Sequence, residues 1–333
     1  MTTYLESLNT HLHQLMDLDD RVYLLGEDIL DPYGSAFKVF KGLSTKYPSR
    51  VITTPISEAG FVGVGGGMAL RGLRPIIEIM FGDFLTLPAD QIINSLTKFN
   101  WMYNDQVNVP IVIRTPMGGR RGYGATHSQS LEKYFLGVSG LVILAPCLFG
   151  SPGKLLSDAV TNTDRPVLFI ENKSLYSMKL RSASQLPDMD LKEIIEQNYP
   201  TYKLSFKNAP APNLTITAYG YMAELAHQAA LKLAYEHELF TEIIIPTQLS
   251  PSNHDALIAS CKKTRNLLTV EEGGRSFAWG AEVIVQVKEA LCSELISAQR
   301  VAALDLPIPA AKNLEDLVLP STADIVQTAL KMV

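Results

Sequence analysis

The sequence predicts an α/β fold in two domains, and three observations carry the prediction. Short apolar runs alternate with helical patterns almost from end to end. The runs are continuous in their apolar character, and the alternation stops once, between 173 and 212, before resuming. Continuous apolar strands separated by helices specify a parallel sheet covered on both faces, because neither face of such a strand meets water. The chain of 333 residues is about two domains long at roughly 150 residues each.

In the first series, RVYLLGED (21–28), RPIIEIM (74–80), VPIVIRTP (109–116), GLVILAP (140–146) and PVLFIEN (166–172) read as buried strands. Helical or small-residue stretches lie between them at 58–71, 86–101 and 151–161. The polar stretch that follows ends in NAPAPN (208–213), and Pro and Ala at that density predict a linker. The boundaries read as 1–190 for the first domain, 191–212 for the linker and 213–333 for the second domain. In the second series NLTITAYG (213–220), TEIIIP (241–246), NLLTVEEG (266–273) and RVAALDLP (300–307) are strands. Segments 221–238, 253–264 and 278–295 are helices, and Pro320 with Ser321 opens a last one.

Composition excludes several classes. Hydrophobic residues make up 47%, enough for two cores, and the net charge is −5. With a pI near 5.7 and no basic block, no nucleic-acid partner is expected. No apolar run approaches the ~18 residues of a membrane span, so no membrane contact is expected. The N-terminus lacks the pattern of a secretory signal. Cys147, Cys261 and Cys292 are widely spaced and read as buried thiols in a reducing cytoplasm. There is no G-x-G-x-x-G in register, no phosphate loop with a terminal Lys, no H-E-x-x-H and no G-x-S-x-G.

Three constellations remain. In TPISEAGFVGVGGGMALRG (54–72), Ser57 is placed to cap a helix and Glu58 falls in its first turn. The plain reading is a carboxylate complementing a helix end, with glycines for tight packing. In EIMFGDFLTLP (78–88) a strand ends at Met80, and Phe81, Gly82, Asp83 and Phe84 cluster where strand ends carry sites; core packing is the plain reading. In RTPMGGRRGYGATHSQSLEKYF (114–135) a strand runs into a Gly-rich basic loop that delivers His127-Ser128-Gln129 to a helix start. The other histidines (11, 13, 227, 237 and 254) fall on polar helical faces and receive no role.

Together these segments resemble the beta subunits of the thiamin-diphosphate-dependent 2-oxo acid dehydrogenases of the pyruvate, branched-chain 2-oxo acid and acetoin types. The likeness runs over nearly the whole chain in ordered blocks: GEDI (26–29), RVITTPISEAG (50–60), GMALRGLRPIIEIMF (67–81), ADQIINS (89–95), VPIVIRTP (109–116), THSQSLE (126–132), KKTRNLLTVEEG (262–273), DLPIPAAKNLE (305–315) and LPSTADIV (319–326). The resemblance implies an N-terminal domain binding the cofactor's pyrimidine and a C-terminal transketolase-like domain. It implies an α2β2 heterotetramer with alpha–beta and beta–beta contacts. It also accounts for a missing Gly-Asp-Gly segment, since in the family the magnesium diphosphate end is held by the alpha subunit.

Residue by residue, Glu58 matches the glutamate that hydrogen-bonds the pyrimidine nitrogen and favours the imino form that takes the thiazolium proton. Phe84 matches the aromatic residue on the pyrimidine face, with Met80 beside it, and His127 matches the beta-subunit histidine that serves acyl transfer to a lipoyl group. A potassium ion held by backbone carbonyls is implied near Ile111, Ala159, Val160, Asn162 and Asp164, in a segment one residue longer here. The C-terminal domain is expected to dock the acyltransferase component, through acidic groups at 270–274 and 313–315. Arg120 and Arg121 either meet an acidic partner or a substrate carboxylate, or form a solvated loop tip.

The function implied is oxidative decarboxylation of a 2-oxo acid, with pyruvate as the base-rate choice. Two other readings stand beside it: half of a split transketolase or deoxyxylulose-phosphate synthase, and a non-catalytic scaffold. The Thr-His-Ser-Gln, VEEG and DLPIP blocks favour the dehydrogenase, and a scaffold predicts a damaged Glu58 or His127, whereas both are intact.

Overall fold

The computed structural model describes residues 2–196 and 198–333. Strands β1 (Val22–Gly26), β2 (Val51–Thr53), β3 (Arg74–Glu78), β4 (Val112–Met117), β5 (Val142–Leu144) and β6 (Val167–Asn172) form a parallel sheet. Strands β7 (Met189–Glu196), β8 (Tyr199–Phe206), β9 (Leu214–Ala218) and β10 (Thr241–Pro246) begin a second sheet. After them come β11 (Gln248–Ser250), β12 (Asn266–Gly274) and β13 (Ser297–Ala303). The first sheet has the order β11-β5-β6-β4-β3-β1-β2, and the second β13-β12-β9-β10-β8-β7.

The apolar runs behave as their pattern dictates. All six residues of β4 and all five of β9 are buried, as expected of strands covered on both faces. The glycines of helix Glu58–Leu70 have a packing reason at two positions. A Cβ on Gly65 would lie 2.4 Å from Ile77, and one on Gly66 would lie 2.5 Å from Leu96. Only glycine lets this helix approach β3 and the following segment so closely. That segment, expected as one helix over 86–101, is broken by Pro88 into a 3-10 turn (Gly82–Thr86), a π-helical turn (Gln91–Leu96) and a short α-turn (Phe99–Met102).

The linker expected at 191–212 is mostly not a linker. β7 and β8 form an antiparallel hairpin, and β8 pairs with β10, from Ser205 opposite Glu242 to Thr201 opposite Pro246. Such an edge hairpin buries one face only, so its polar residues break the apolar run by which the other strands are recognised. Only 207–213 connects the hairpin to β9. The domains also interlock: β11, from the second half of the chain, pairs antiparallel with β5 of the first sheet. Cys147 and Cys261 are buried as expected, whereas Cys292 is exposed.

Inside the first sheet sits a cation, Arg114, with no exposure. It forms an ion pair with Glu78 on β3 and donates to Glu171 on β6 through Nε at 2.7 Å and Nη2 at 2.8 Å. Tyr176 Oη donates to the same Glu171 at 2.8 Å. Burial opposes the arginine's charge most strongly, but Glu171, Tyr176 and Tyr4 together outweigh it and raise its pKa above the ordinary value. The triad therefore cross-links the three central strands. Replacing Arg114 with Met strands two buried carboxylates; the expected loss is about 3–5 kcal/mol of stability, read as a shift in the denaturant midpoint of the full chain.

Candidate active site

Every group of the candidate site follows the carboxyl end of a parallel strand, where α/β sheets bind their ligands. Glu27 follows β1, Glu58 opens the helix after β2, Phe81 to Phe84 follow β3, the loop 118–129 follows β4, and Lys173 follows β6.

Glu58 is the first residue of its helix and is 6% exposed. The helix end favours a negative charge there. Ser57 occupies the capping position, but its side chain makes no capping bond, so the expected cap is absent. Among the described residues no hydrogen bond or ion pair engages the Glu58 carboxylate. Its neighbour Glu27 has a buried Oε1 without a partner. Burial, reinforced by the Glu58 charge and by Asp28, raises the Glu27 carboxyl above its ordinary value. Two adjoining carboxylates with no protein donor are suited to a ligand that presents N–H groups.

Phe84 and His127, far apart in sequence, stand edge to face with ring centroids 5.3 Å apart. Phe81 completes the platform at 4.9 Å from His127 and 5.8 Å from Phe84. Met80 is half-buried just before it. Thr126 Oγ1 lies 3.0 Å from His127 Nδ1, which leaves Nε2 for chemistry. Asp83 turns inward to anchor the loop: its Oδ1 accepts from the Gln129 amide at 3.2 Å and from Gln129 Nε2 at 2.8 Å. Its Oδ2 is buried without a partner.

The loop does not lead His127 into a helix; a single 3-10 turn follows at Glu132–Tyr134. It is instead held from the second domain. Gly119 N donates to Glu272 at 2.8 Å, and Arg120 N to Glu315 at 2.7 Å. The Arg120 guanidinium lies 3.5 Å from Glu272 and donates to the Pro320 carbonyl at 2.6 Å. Arg120 thus meets acidic groups of its own chain and is no solvated tip, while Arg121 donates to the Lys173 carbonyl at 3.2 Å. The acidic groups expected to dock a partner are the same ones: Glu271, Glu272 and Glu315 are all buried. Their pattern in sequence, a carboxylate pair at a strand end, does not reveal which way they face. His227 likewise departs from expectation. It is buried against Phe149, with ring centroids 5.6 Å apart, and burial lowers its pKa.

Two of the carbonyls expected to hold potassium, those of Ile111 and Val160, accept from protein donors. Ile111 O accepts from Val167 N at 2.8 Å. The Arg74 guanidinium donates to Val160 O at 2.5 Å, to Thr163 O at 3.1 Å and to Asp164 Oδ1 at 3.2 Å. Ala159 is buried in its helix, and the side chain of Asn162 lies 3.4 Å from Asp158. A guanidinium thus already brings positive charge to Val160 and Asp164, two of the five residues that the resemblance implies. Among the described residues no cluster of three or more His, Cys, Asp or Glu suits a metal. A concavity of about 750 Å³ is lined by Trp101, Asp105, Asn108 and Arg165 at the opposite, amino-terminal edge of the sheet. It lies away from Glu58 and His127. Among the described residues no helix is long and apolar enough to cross a membrane.

Sequence reasoning gave no role to Glu27, Asp83, Tyr123 or Lys173. For Lys173 a signal exists: it is a charged residue directly after a strand that opens with four buried apolar residues, Val167 to Ile170.

Comparison with known proteins agrees with this geometry. Residues 1–179 match the family described as "Transketolase, pyrimidine binding domain", and residues 206–325 match "Transketolase, C-terminal domain". A "Pyruvate dehydrogenase E1 component subunit beta-1, mitochondrial" from Oryza sativa subsp. japonica is 38% identical over 98% of this chain and 85% of its own. A "Pyruvate dehydrogenase E1 component subunit beta" from Rickettsia felis is 34% identical over 99% of this chain and 98% of its own. Among solved structures, a "Split gene transketolase, inactive beta4 tetramer" superposes with a TM-score of 0.76 over 100% of this chain and 98% of its own, at 19% identity, which establishes the fold alone. The chain belongs to the beta-subunit family of the thiamin-diphosphate-dependent 2-oxo acid dehydrogenases, built from a transketolase-type pyrimidine-binding domain and a transketolase C-terminal domain.

Proposed function

We propose that this chain supplies the pyrimidine-binding half of a pyruvate dehydrogenase active site, and that an alpha subunit supplies the diphosphate half with its Mg2+. The observation that carries the reading is the buried Glu58 carboxylate with the half-buried Glu27 beside it, neither with a protein donor among the described residues, next to the Phe81–Phe84–His127 platform. Bound thiamin diphosphate supplies carbanion stabilisation that no side chain offers. Glu58 holds a proton against the pyrimidine ring nitrogen, in a site dry enough for that hydrogen bond to be strong. Phe84, with Phe81 behind it, offers an apolar face for the ring. His127 orients or moves a proton at the reacting oxygen or at a lipoyl sulfur through Nε2.

The alpha partner is favoured by what surrounds Glu58. Ile56, Val64 and Leu87 are exposed by 85%, 59% and 56%, a density of apolar surface that marks a covered face. An α2β2 assembly with a beta–beta contact, and acyl delivery to a lipoyl acyltransferase component, follow from the same reading. Pyruvate is preferred because the relatives above carry it in their names. Co-expression with candidate alpha chains, followed by decarboxylation assays on pyruvate, 2-oxoisovalerate and acetoin with an artificial electron acceptor, decides the substrate.

Two measurements test the site. In the reconstituted complex Glu58→Gln is expected to lower decarboxylation by about 10²–10⁴-fold with thermal stability nearly unchanged; retained activity removes Glu58 from its role. The chain by itself is expected to bind thiamin diphosphate weakly. Calorimetry giving tight, magnesium-dependent binding to this chain alone would refute the divided site.

A further inference from the structure

Beneath the platform lies a lysine that no reading above employs. Lys173, the first residue after β6, has no exposure. Its Nζ donates to the backbone carbonyl of His127. The ammonium also stands 5.1 Å over the Phe81 ring and 5.6 Å over the Tyr123 ring. Among the described residues it forms no ion pair; Asp83, Glu272 and Glu315 act on it only through their charge, and Arg121 opposes them.

A buried cation without a bonded carboxylate is unfavourable for the fold as such. Here a carbonyl and two aromatic faces compensate it, and all three belong to the elements that build the platform. Methionine or leucine would fill the same volume without the desolvation cost. What a cation adds is direction: a donor aimed at one carbonyl, on a stem fixed at a strand end. We propose that Lys173 is the positioning residue of His127: its ammonium, seated over the Phe81 and Tyr123 rings, fixes the His127 carbonyl and so sets where the imidazole points for acyl transfer.

The proposal rests on the function assigned to His127 above, and three readouts separate the two. In the complex reconstituted with its alpha subunit, Lys173→Met is expected to slow acyl transfer to a lipoyl domain by about 10²-fold, the cost of misplacing a catalytic group by an ångström. Decarboxylation with an artificial acceptor, which depends first on Glu58, is expected to fall only a few-fold, well short of the loss in acyl transfer. A parallel fall in both rates, or no fall in either, overturns the proposal. Loss of decarboxylation in Glu58→Gln shows independently that the site reading itself stands.

In the full chain alone, amide exchange across 118–129 should quicken in Lys173→Met and recover in Lys173→Arg; unchanged exchange counts against the proposal. The unaltered protein gives a test that needs no variant. Burial lowers the lysine's pKa to about 8, so the ammonium loses its proton as pH rises past that point. Acyl transfer should fall there more steeply than artificial-acceptor decarboxylation, and a common alkaline limb for both would contradict the assignment.

Discussion

The Arg114 triad is the constraint on which the rest of the site depends. Glu78 pairs in register with Arg114 across β3 and β4, and Glu171 lies two residues beyond the Arg114 partner on β6. These are the strands whose ends launch Phe81–Phe84, the His127 loop and Lys173. One buried guanidinium therefore fixes the spacing of the three chain segments that must converge. Its charge is tolerated because two carboxylates and a phenol meet it at hydrogen-bonding distance, which an apolar residue of equal volume would not require. The gain is in position: ion pairs with a fork geometry fix angle as well as distance.

The second domain does more than complete the mass of the protein. Through Glu272 and Glu315 it grips Gly119 and Arg120 at the root of the loop that carries His127, and β11 stitches it to the far edge of the first sheet. Gly118, at φ +92, is where the chain turns into this grip; a Cβ there would lie 2.6 Å from Glu272 and 2.5 Å from Asn172. The His127 loop thus has anchors on three sides: Asp83 from below, Lys173 from β6, and the carboxylates of the second domain. A loop so rich in glycine would otherwise be free to wander.

The unsatisfied groups have the opposite character. Among the described residues Glu58, Glu27 Oε1 and Asp83 Oδ2 have no donor at the same edge of the sheet. In the proposed function these are the places left open for another molecule.

The parallel cores were legible in the sequence, since a strand buried on both faces has to be apolar throughout, and that leaves a mark at every position. Glu58, Phe84 and His127 were legible because ordered blocks carried them. The hairpin β7–β8 was not, because a half-buried strand disguises itself as polar chain. Nor could the facing of Glu272 and Glu315 be read: composition records that a residue is charged, while only the approach of Arg120 from another domain decides that the charge is buried. The same holds for Lys173 and for the Arg74 contact with Val160 and Thr163. Local preference and periodicity are written along the chain, but a pairing between distant residues exists only once the sheets have packed.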